Sequence, residues 1–372
     1  MSVAQVSALV LPIEKPLELR TESNQRLELR RKIGQLIILG YQGRSPSDQG
    51  VKNLAKQVAK GEISGVLHLG HNIPRSAAEV RNLIDYLDNN SLMIDQPALL
   101  HALDQEGGVV QRLKPWHGVT AVDSAEEMSG VTLEEAFDTY KNLACQLSDL
   151  GFNWNLGPVV DLGMNERNPV ITRLERAFSA NPKIVSAYAQ TFVEAHETCG
   201  IGSSFKHFPG HGSSGTDSHK GIADVSKSWN KVELRPYKQL LNLKGPTSVM
   251  TGHLLHREFD SNLPASLSQT WVRGLLRAEL GYNGLVVTDD LDMKAVSDQW
   301  RVEEASILAL AAGNDLVLLA NGLHRIPNLP RIIANAILDE MENPEPRISP
   351  TVIDQAYARV LSFKGNLGLV RK

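Results

Sequence analysis

Cysteine is scarce in this chain, which has two, Cys145 and Cys199, among 372 residues. Two such widely spaced cysteines do not make a disulfide scaffold, and both fall within helical patterns, so we expect them to be reduced and buried. Basic and acidic residues nearly balance at 38 and 42, and no basic run is longer than residues 30–32. This charge pattern argues against a nucleic-acid partner.

Long apolar runs are also missing from the amino-terminal region. Its longest apolar run spans residues 8–13 and stops at Glu14, with no basic segment before it. Such a run is too short for a signal peptide or a membrane span. We therefore expect a cytoplasmic, monomeric protein that does not contact membranes, with a polar extension over residues 1–30.

Residues 31–372 alternate between short apolar runs and amphipathic helical patterns. One helix is predicted from Thr132, which forms a capping box with Glu135, to Gly151, and another from Asn181 to Gly200. Eight apolar runs predict strands over residues 33–40, 63–69, 98–103, 152–160, 201–206, 247–252, 284–288 and 315–320. The alternation predicts an α/β fold, a single-domain (β/α)8 TIM-type barrel with some irregular strands and a last helix near residues 352–363. A doubly wound open sheet is the alternative.

Polar residues follow these predicted strands at their carboxyl ends, where β/α barrels hold their catalytic groups. They are Asp104, Arg173, Glu175, Arg176, Lys206, His207, Asp217, His219, His253, Asp289, Asp290 and Asn321. Some have simpler structural explanations. Asp290 and Asp292 are typical of carboxylates at helix starts. Arg173 and Glu175 are typical of an ion pair exposed to solvent.

The densest polar segment is residues 206–219, which contain Lys206, Asp217 and three of the 11 histidines, His207, His211 and His219. Glycines at 210, 212 and 215 suit a loop that presents polar side chains to a ligand. We interpret the segment as the catalytic loop of an enzyme, in which His211 holds the loop by hydrogen bonds.

Segment 206–219 resembles the signature of glycoside hydrolase family 3, in its NagZ-like β-N-acetylglucosaminidase branch. Further similar segments occur in the same order at residues 104–108, 157–161, 176–178, 252–254, 263–268 and 287–293. The resemblance implies a retaining, exo-acting β-N-acetylglucosaminidase of peptidoglycan recycling, acting on muropeptides without a metal or other cofactor. The chain departs from the family pattern at Val109 and Ser179.

The resemblance also implies residue roles. Asp289 corresponds to the nucleophile that forms a covalent glycosyl-enzyme; the sequence alone does not choose it over Asp290. His219 corresponds to the general acid/base and Asp217 to the carboxylate that orients it. The residues that correspond to binding positions for the first sugar are Asp104, Arg176, Lys206 and His207.

The residues themselves are compatible with this chemistry. Retaining glycosidases normally use two carboxylates, one to attack and one to carry the proton. Here a histidine lies two residues from an aspartate, so Asp217 can hold one ring nitrogen of His219 while the other faces the leaving oxygen. The ordinary histidine pKa of about 6.5 suits both proton transfers near neutral pH. We also expect the proton donor to come from within the barrel, on a loop that closes over substrate.

Four alternatives stay open. A neutral histidine does not repel anions, so phosphate could replace water and the reaction would be phosphorolysis. The chain could instead be a β-glucosidase of the same family, or a sugar-binding protein without activity. A barrel metallohydrolase would use the ligands His207, His211, Asp217 and His219, although no helical His-x-x-x-His face forms.

Overall fold

The computed structural model describes residues 24–92, 96–322 and 325–370. Eight strands form one sheet: β1 (Ile37–Gly40), β2 (Gly65–His68), β3 (Leu100–Leu103), β4 (Trp154–Asn155), β5 (Gly202–Phe208), β6 (Thr247–Thr251), β7 (Leu285–Thr288) and β8 (Val317–Leu319). All eight predicted strands are present, and the predicted (β/α)8 barrel is confirmed.

The strands are parallel and lie in the order β7-β6-β5-β4-β3-β2-β1-β8. A single bridge, Val287 to Leu316, joins β7 to the chain just before β8, and the Thr288 amide donates to the Leu316 carbonyl at 3.0 Å. The Leu316 amide also donates to the Val286 carbonyl at 3.0 Å. The sheet therefore closes into a barrel at the β7–β8 seam.

Eleven α-helices surround the described part of the sheet: α1 (Asn24–Gly34), α2 (Gln49–Val58), α3 (Ala77–Ser91), α4 (Ala125–Met128), α5 (Leu133–Asp149), α6 (Pro182–Glu197), α7 (Arg235–Leu240), α8 (Lys294–Ser297), α9 (Val302–Ala312), α10 (Leu329–Glu340) and α11 (Pro350–Asn366). A π-helical segment, Thr270–Glu279, lies between β6 and β7. The Thr132 capping box forms as predicted, and Asn181 caps α6 through the Lys183 amide.

Two predicted strand boundaries need correction. The run 33–40 predicts a strand throughout, but Ile33 and Gly34 belong to the end of α1, and β1 starts at Ile37. The run 152–160 yields only the two residues of β4 and a bridge at Val159. Pro158 has no amide hydrogen to give to a strand ladder, which explains the interruption.

The predicted reduced state of the cysteines is wrong in this structure. Helices α5 and α6 pack against each other, which brings the Cα atoms of Cys145 and Cys199 to 5.0 Å, and a disulfide joins them. The expected cytoplasmic location stays a prediction.

Residues 1–23 of the predicted extension lie outside the described residues. Residues 24–30 begin α1, which packs on α10 and α11. Lys32 Nζ lies 2.8 Å from Asp354 Oδ1 on α11, and Arg26 pairs with Asp339 at 2.8 Å. Within the described residues, no helix combines the length and apolar character needed to cross a membrane.

The amino-terminal end of the barrel contains a buried lysine. Lys364 on α11 is 0% exposed, and its Nζ donates to Gln35 Oε1 at 3.1 Å and to the Ser64 carbonyl at 2.9 Å. Both acceptors are neutral, so no carboxylate offsets the loss of water around the ammonium. Burial accordingly lowers the pKa of Lys364 to about 7.

We expect the substitution Lys364→Met to change how stability depends on pH. Between the lowered pKa near 7 and the ordinary lysine pKa of 10.5, the unfolded chain binds a proton that the folded chain does not, so this group makes wild-type stability rise with pH. The contribution is about 1.4 kcal/mol per pH unit.

Urea unfolding of both proteins at several pH values from 7 to 10 measures this slope. The difference in free energy of unfolding between wild type and Lys364→Met should change by about 1.4 kcal/mol per pH unit. Lys141→Met, on the exposed face of α5, should differ from wild type by the same amount at every pH. Parallel stability curves for wild type and Lys364→Met would contradict the expectation.

Candidate active site

All seven residues predicted to form the site lie at the carboxyl end of the barrel. Asp104 directly follows β3, Lys206 and His207 are in the last half of β5, and Asp289 directly follows β7. The other three, Arg176, Asp217 and His219, are in the loops after β4 and β5.

A buried cluster of ion pairs connects three of these strand ends. Lys206 Nζ lies 2.7 Å from Asp104 Oδ1 and 2.6 Å from Glu106 Oε1. Glu106 also accepts two hydrogen bonds from Arg176, each 2.8 Å long. Arg112 Nη2 donates to the second oxygen of Asp104 at 3.0 Å. The cluster fixes Lys206 and Arg176 in place, and Glu106 is a member that the predicted site did not include.

The two carboxylates in this cluster are ionised. Burial opposes ionisation of Asp104, but Lys206 and Arg112 outweigh it and hold the pKa of Asp104 well below its usual range. Burial likewise opposes ionisation of Glu106, but Arg176 and Lys206 lower its pKa to about 2. The cluster thus presents both charged donors and charged acceptors, which suits the hydroxyl groups of a sugar.

Asp161 organises the turn that follows β5. This carboxylate is buried and accepts from His207 Nδ1 at 2.7 Å, from the His207 amide at 3.1 Å and from the His211 amide at 2.7 Å. Because Nδ1 of His207 is held by Asp161, Nε2 is the ring nitrogen left for a ligand. Burial opposes the ionisation of Asp161, and contact with His207 reverses this and lowers its pKa.

Asp289 is surrounded by imidazoles. Burial would raise the pKa of its carboxyl, but the His253, His207 and His219 rings outweigh burial and lower this pKa. His253 is itself held between Ser266 Oγ at 2.7 Å and the Asp290 carbonyl at 2.9 Å. The carboxylate of Asp289 is therefore kept anionic, as a nucleophile must be.

The structure distinguishes Asp289 from Asp290. Oδ1 of Asp290 accepts from the amides of Ala320 at 2.8 Å and Asp292 at 3.0 Å, and burial raises its pKa to about 7. Oδ2 of Asp292 accepts from the Gly322 amide at 3.0 Å. Both side chains thus hold the loop after β8, which corrects their assignment to a helix start; α8 begins later and has Met293 as its N-cap.

Asp217 and His219 form a hydrogen-bonded pair. Oδ1 of Asp217 accepts from the Nδ1 and from the backbone amide of His219, both at 2.9 Å. The His219 side chain is 60% exposed and that of Asp217 is 17% exposed. Burial opposes ionisation of Asp217, but the hydrogen bonds from His219 lower its pKa. Geometrically, this is the orienting contact expected of an acid/base pair.

The base of the same loop is anchored by Glu233, a residue that no sequence pattern singles out. Glu233 is 1% exposed, and it accepts from the Gly212 amide at 2.8 Å and from Ser213 Oγ at 2.5 Å. Burial raises its pKa to about 7. His211 Nε2 lies 3.3 Å from Ser218 Oγ, in agreement with a role in holding the loop.

No group of three or more histidine, cysteine or acidic side chains within the described residues is arranged to hold a metal ion. The histidines that a barrel metallohydrolase would use as ligands have separate carboxylate partners instead. His207 is bonded to Asp161, and His219 to Asp217.

The glycosyl hydrolase family 3 N-terminal domain model matches residues 28–363. The chain belongs to glycoside hydrolase family 3. Beta-hexosaminidase A of Pseudoalteromonas piscicida is 30% identical over 337 residues, which cover 84% of this family 3 chain and 55% of that protein. Beta-hexosaminidase of Shewanella frigidimarina is 32% identical, with 83% of this chain and 85% of the relative covered.

Solved structures show the same relationship. A family 3 β-N-acetylglucosaminidase from Paenibacillus sp. str. FPU-7 superposes with a TM-score of 0.83 and 32% identity, over 92% of this chain and 63% of that one. A β-N-acetylhexosaminidase from Beutenbergia cavernae superposes with a TM-score of 0.77 and 25% identity, over 91% and 98% of the two chains. This family 3 chain thus spans between half and two thirds of some relatives and nearly all of others.

We expect Glu106→Gln to remove a stabilising contribution that depends on pH. The glutamate pKa falls from 4.5 to about 2 on folding, so this contribution, about 3 kcal/mol, is present above pH 4.5 and is lost as pH falls towards 2. Urea unfolding at pH 7 and near pH 3.5 measures this contribution. The free energy of unfolding of the wild type should exceed that of the variant by more at pH 7 than near pH 3.5.

Glu345→Gln, at an exposed position between α10 and α11, is the matched control and should have the free energy of unfolding of the wild type at both pH values. An equal loss for Glu106→Gln at both pH values would show that the ion pairs with Lys206 and Arg176 do not produce the effect.

Proposed function

We propose that this chain is a retaining, exo-acting β-N-acetylglucosaminidase. The observation that carries the proposal is that Asp289 directly follows β7 while the hydrogen-bonded Asp217–His219 pair lies in the loop after β5, at the same end of the barrel. In this proposal Asp289 is the nucleophile, and His219 is the proton carrier, oriented by its own carboxylate partner.

In the first step Asp289 attacks the anomeric carbon and the bond to the leaving oxygen breaks. His219 in its protonated form gives the Nε2 proton to that oxygen, because Nδ1 is bonded to Asp217. The product is a glycosyl ester of Asp289. In the second step neutral His219 takes a proton from water, which attacks the same carbon and releases Asp289.

The ion-pair cluster supplies the subsite for the first sugar. Lys206 and Arg176 can donate to ring hydroxyls while Asp104 accepts, and each already has its orientation fixed by Glu106 or by its other partners. His207 adds Nε2. Pre-oriented charged groups of this kind need little rearrangement when substrate binds.

The loop that carries His219 closes on substrate in this proposal. Its base is bound to Glu233 and Asp161, whereas His219 itself is 60% exposed. Closure would bring the imidazole to the glycosidic oxygen and exclude bulk water. The substrate class that we propose is peptidoglycan-derived muropeptides with a terminal N-acetylglucosamine, in cell-wall recycling.

Phosphorolysis is the second candidate. The proton carrier is a histidine, which in its neutral form does not repel phosphate as a second carboxylate would. Lys220 next to it is 82% exposed and cationic, which further favours an anionic acceptor. The two reactions share the first step and differ in what attacks the glycosyl ester.

We expect His219→Ala to lower kcat/KM for natural glycosides by about 10²–10⁴-fold, because the leaving oxygen loses its proton donor. Aryl glycosides with acidic phenols as leaving groups should lose much less in the first step. Lys227→Ala, at an exposed position farther along the connection from β5 to β6, is the control and should keep hydrolytic activity on both substrates. Equal losses on natural and activated glycosides would speak against His219 as the proton donor.

Hydrolysis of aryl β-glycosides of N-acetylglucosamine and of glucose, with and without phosphate, tests the specificity. We expect a preference for the N-acetylated sugar and a product that is free sugar rather than sugar phosphate. A 5-fluoro glycosyl fluoride should label Asp289, as peptide mass spectrometry would show. Preference for the glucoside would overturn the assignment.

A further inference from the structure

An asparagine at the end of β4 continues the contact between β3 and β4 towards the ion-pair cluster. The paired register of the two strands ends at Leu103 and Asn155, one residue before Asp104. Beyond that point the Asn155 side chain replaces the strand. Its Oδ1 accepts from the Gln105 amide at 3.0 Å, and its Nδ2 donates to the Gln105 carbonyl at 2.9 Å. One side chain therefore holds both backbone polar groups of Gln105.

The segment that is held in this way carries both carboxylates of the cluster. Asp104 and Glu106 flank Gln105, and alternate residues of an extended segment project to the same side. Both carboxylates contact Lys206 Nζ, at 2.7 and 2.6 Å. The position of the Gln105 backbone thus determines where the two carboxylates lie.

The Gln105 side chain fixes the returning chain of the same hairpin. Its Oε1 accepts from the Leu113 amide at 2.9 Å, and its Nε2 donates to the Leu113 carbonyl at 3.2 Å. Leu113 adjoins Arg112, whose guanidinium donates to Asp104 at 3.0 Å. Two buried amide side chains, those of Asn155 and Gln105, therefore link β4 to Asp104 and to its partner Arg112.

A histidine of α6 fixes the orientation of the Asn155 amide. His196 Nδ1 donates to the Phe192 carbonyl at 2.8 Å, because a carbonyl can only accept. Its Nε2 then carries no proton and accepts from Asn155 Nδ2 at 3.0 Å. Burial keeps the ring neutral, since it lowers the pKa of His196 to about 4. The oxygen of Asn155 is thereby left to face the Gln105 amide.

We propose that Asn155 and His196 are positioning residues for the sugar subsite, which act through the backbone of Gln105 on Asp104 and Glu106. The inference rests on the proposed function, since it assumes that this subsite holds the sugar. Both side chains are 0% exposed, so they act only through the residues that they hold. A displacement of about 1 Å in a binding group can cost about a hundredfold in rate.

A neighbouring asparagine provides a matched control. Asn153 Oδ1 accepts from the His101 amide at 2.8 Å, and its Nδ2 donates to the Leu99 carbonyl at 3.0 Å. These are the same two kinds of hydrogen bond, made at the start of β3 and away from the site. Asn153→Ser should therefore lower the free energy of unfolding and keep the kcat/KM of the wild type.

Steady-state kinetics on the aryl β-glycoside that the wild type prefers tests the proposal. Asn155→Ser should lower kcat/KM by about 10–100-fold. His196→Leu should also lower kcat/KM, whereas His196→Gln, whose Oε1 can replace Nε2 as the acceptor, should restore most of it. These two His196 variants carry the test if Asn155→Ser does not fold. Equal losses for Asn153→Ser and Asn155→Ser, or for His196→Leu and His196→Gln, would overturn the proposal.

A double-mutant cycle separates positioning from a general structural loss. In an Asp104→Asn background, Asn155→Ser should reduce kcat/KM by a smaller factor than in wild type, because the carboxylate that it positions is already gone. The same factor in both backgrounds would show that Asn155 does not act through Asp104, and the proposal would fail. A wild type that prefers the glucoside to the N-acetylglucosaminide would instead overturn the proposed function and leave this test intact.

Discussion

The buried contact of Lys206 with Asp104 and Glu106 is the constraint on which the site depends. It joins the carboxyl end of β5 to the chain that follows β3, and Glu106 extends it to Arg176 after β4. Removing these charges from water is costly, and the cost is offset only while every partner is present. The same connections give the sugar subsite its rigidity, since Lys206 and Glu106 each contact two oppositely charged groups.

A second set of contacts allows part of the site to move while the rest stays fixed. Asp161 and Glu233 hold backbone amides at the start of the loop after β5, whereas His219 at its far end is bonded chiefly to its neighbour Asp217. In the proposed mechanism Asp104, Lys206 and His207 lie on or directly after strands, whereas the proton carrier His219 lies within a loop. This division fits a reaction in which the sugar must be held still and the leaving group must be reached and then released.

The alternation of apolar runs and helical patterns was enough to predict the barrel and the strand ends that carry the polar residues, because both follow from periodicity. The partners Glu106, Asp161 and Glu233 could not be assigned in this way, since their contacts span tens of residues. Asp289 and Asp290 are equivalent in sequence and separate only when the amides after β8 are seen to occupy Asp290. The disulfide escaped prediction for a similar reason, as it depends on how α5 packs on α6.

The β7–β8 seam connects the closure of the barrel to the pocket. Its ladder has one bridge, and the amides of Thr288 and Leu316 donate across it at 3.0 Å. Helix α11 packs on β7 and α9 on β8. Oδ1 of Asp290 accepts from the Ala320 amide just after β8, so a local separation of the two strands removes a hydrogen bond from the residue beside Asp289. The carboxylate next to the proposed nucleophile thus couples the integrity of the seam to the shape of the pocket.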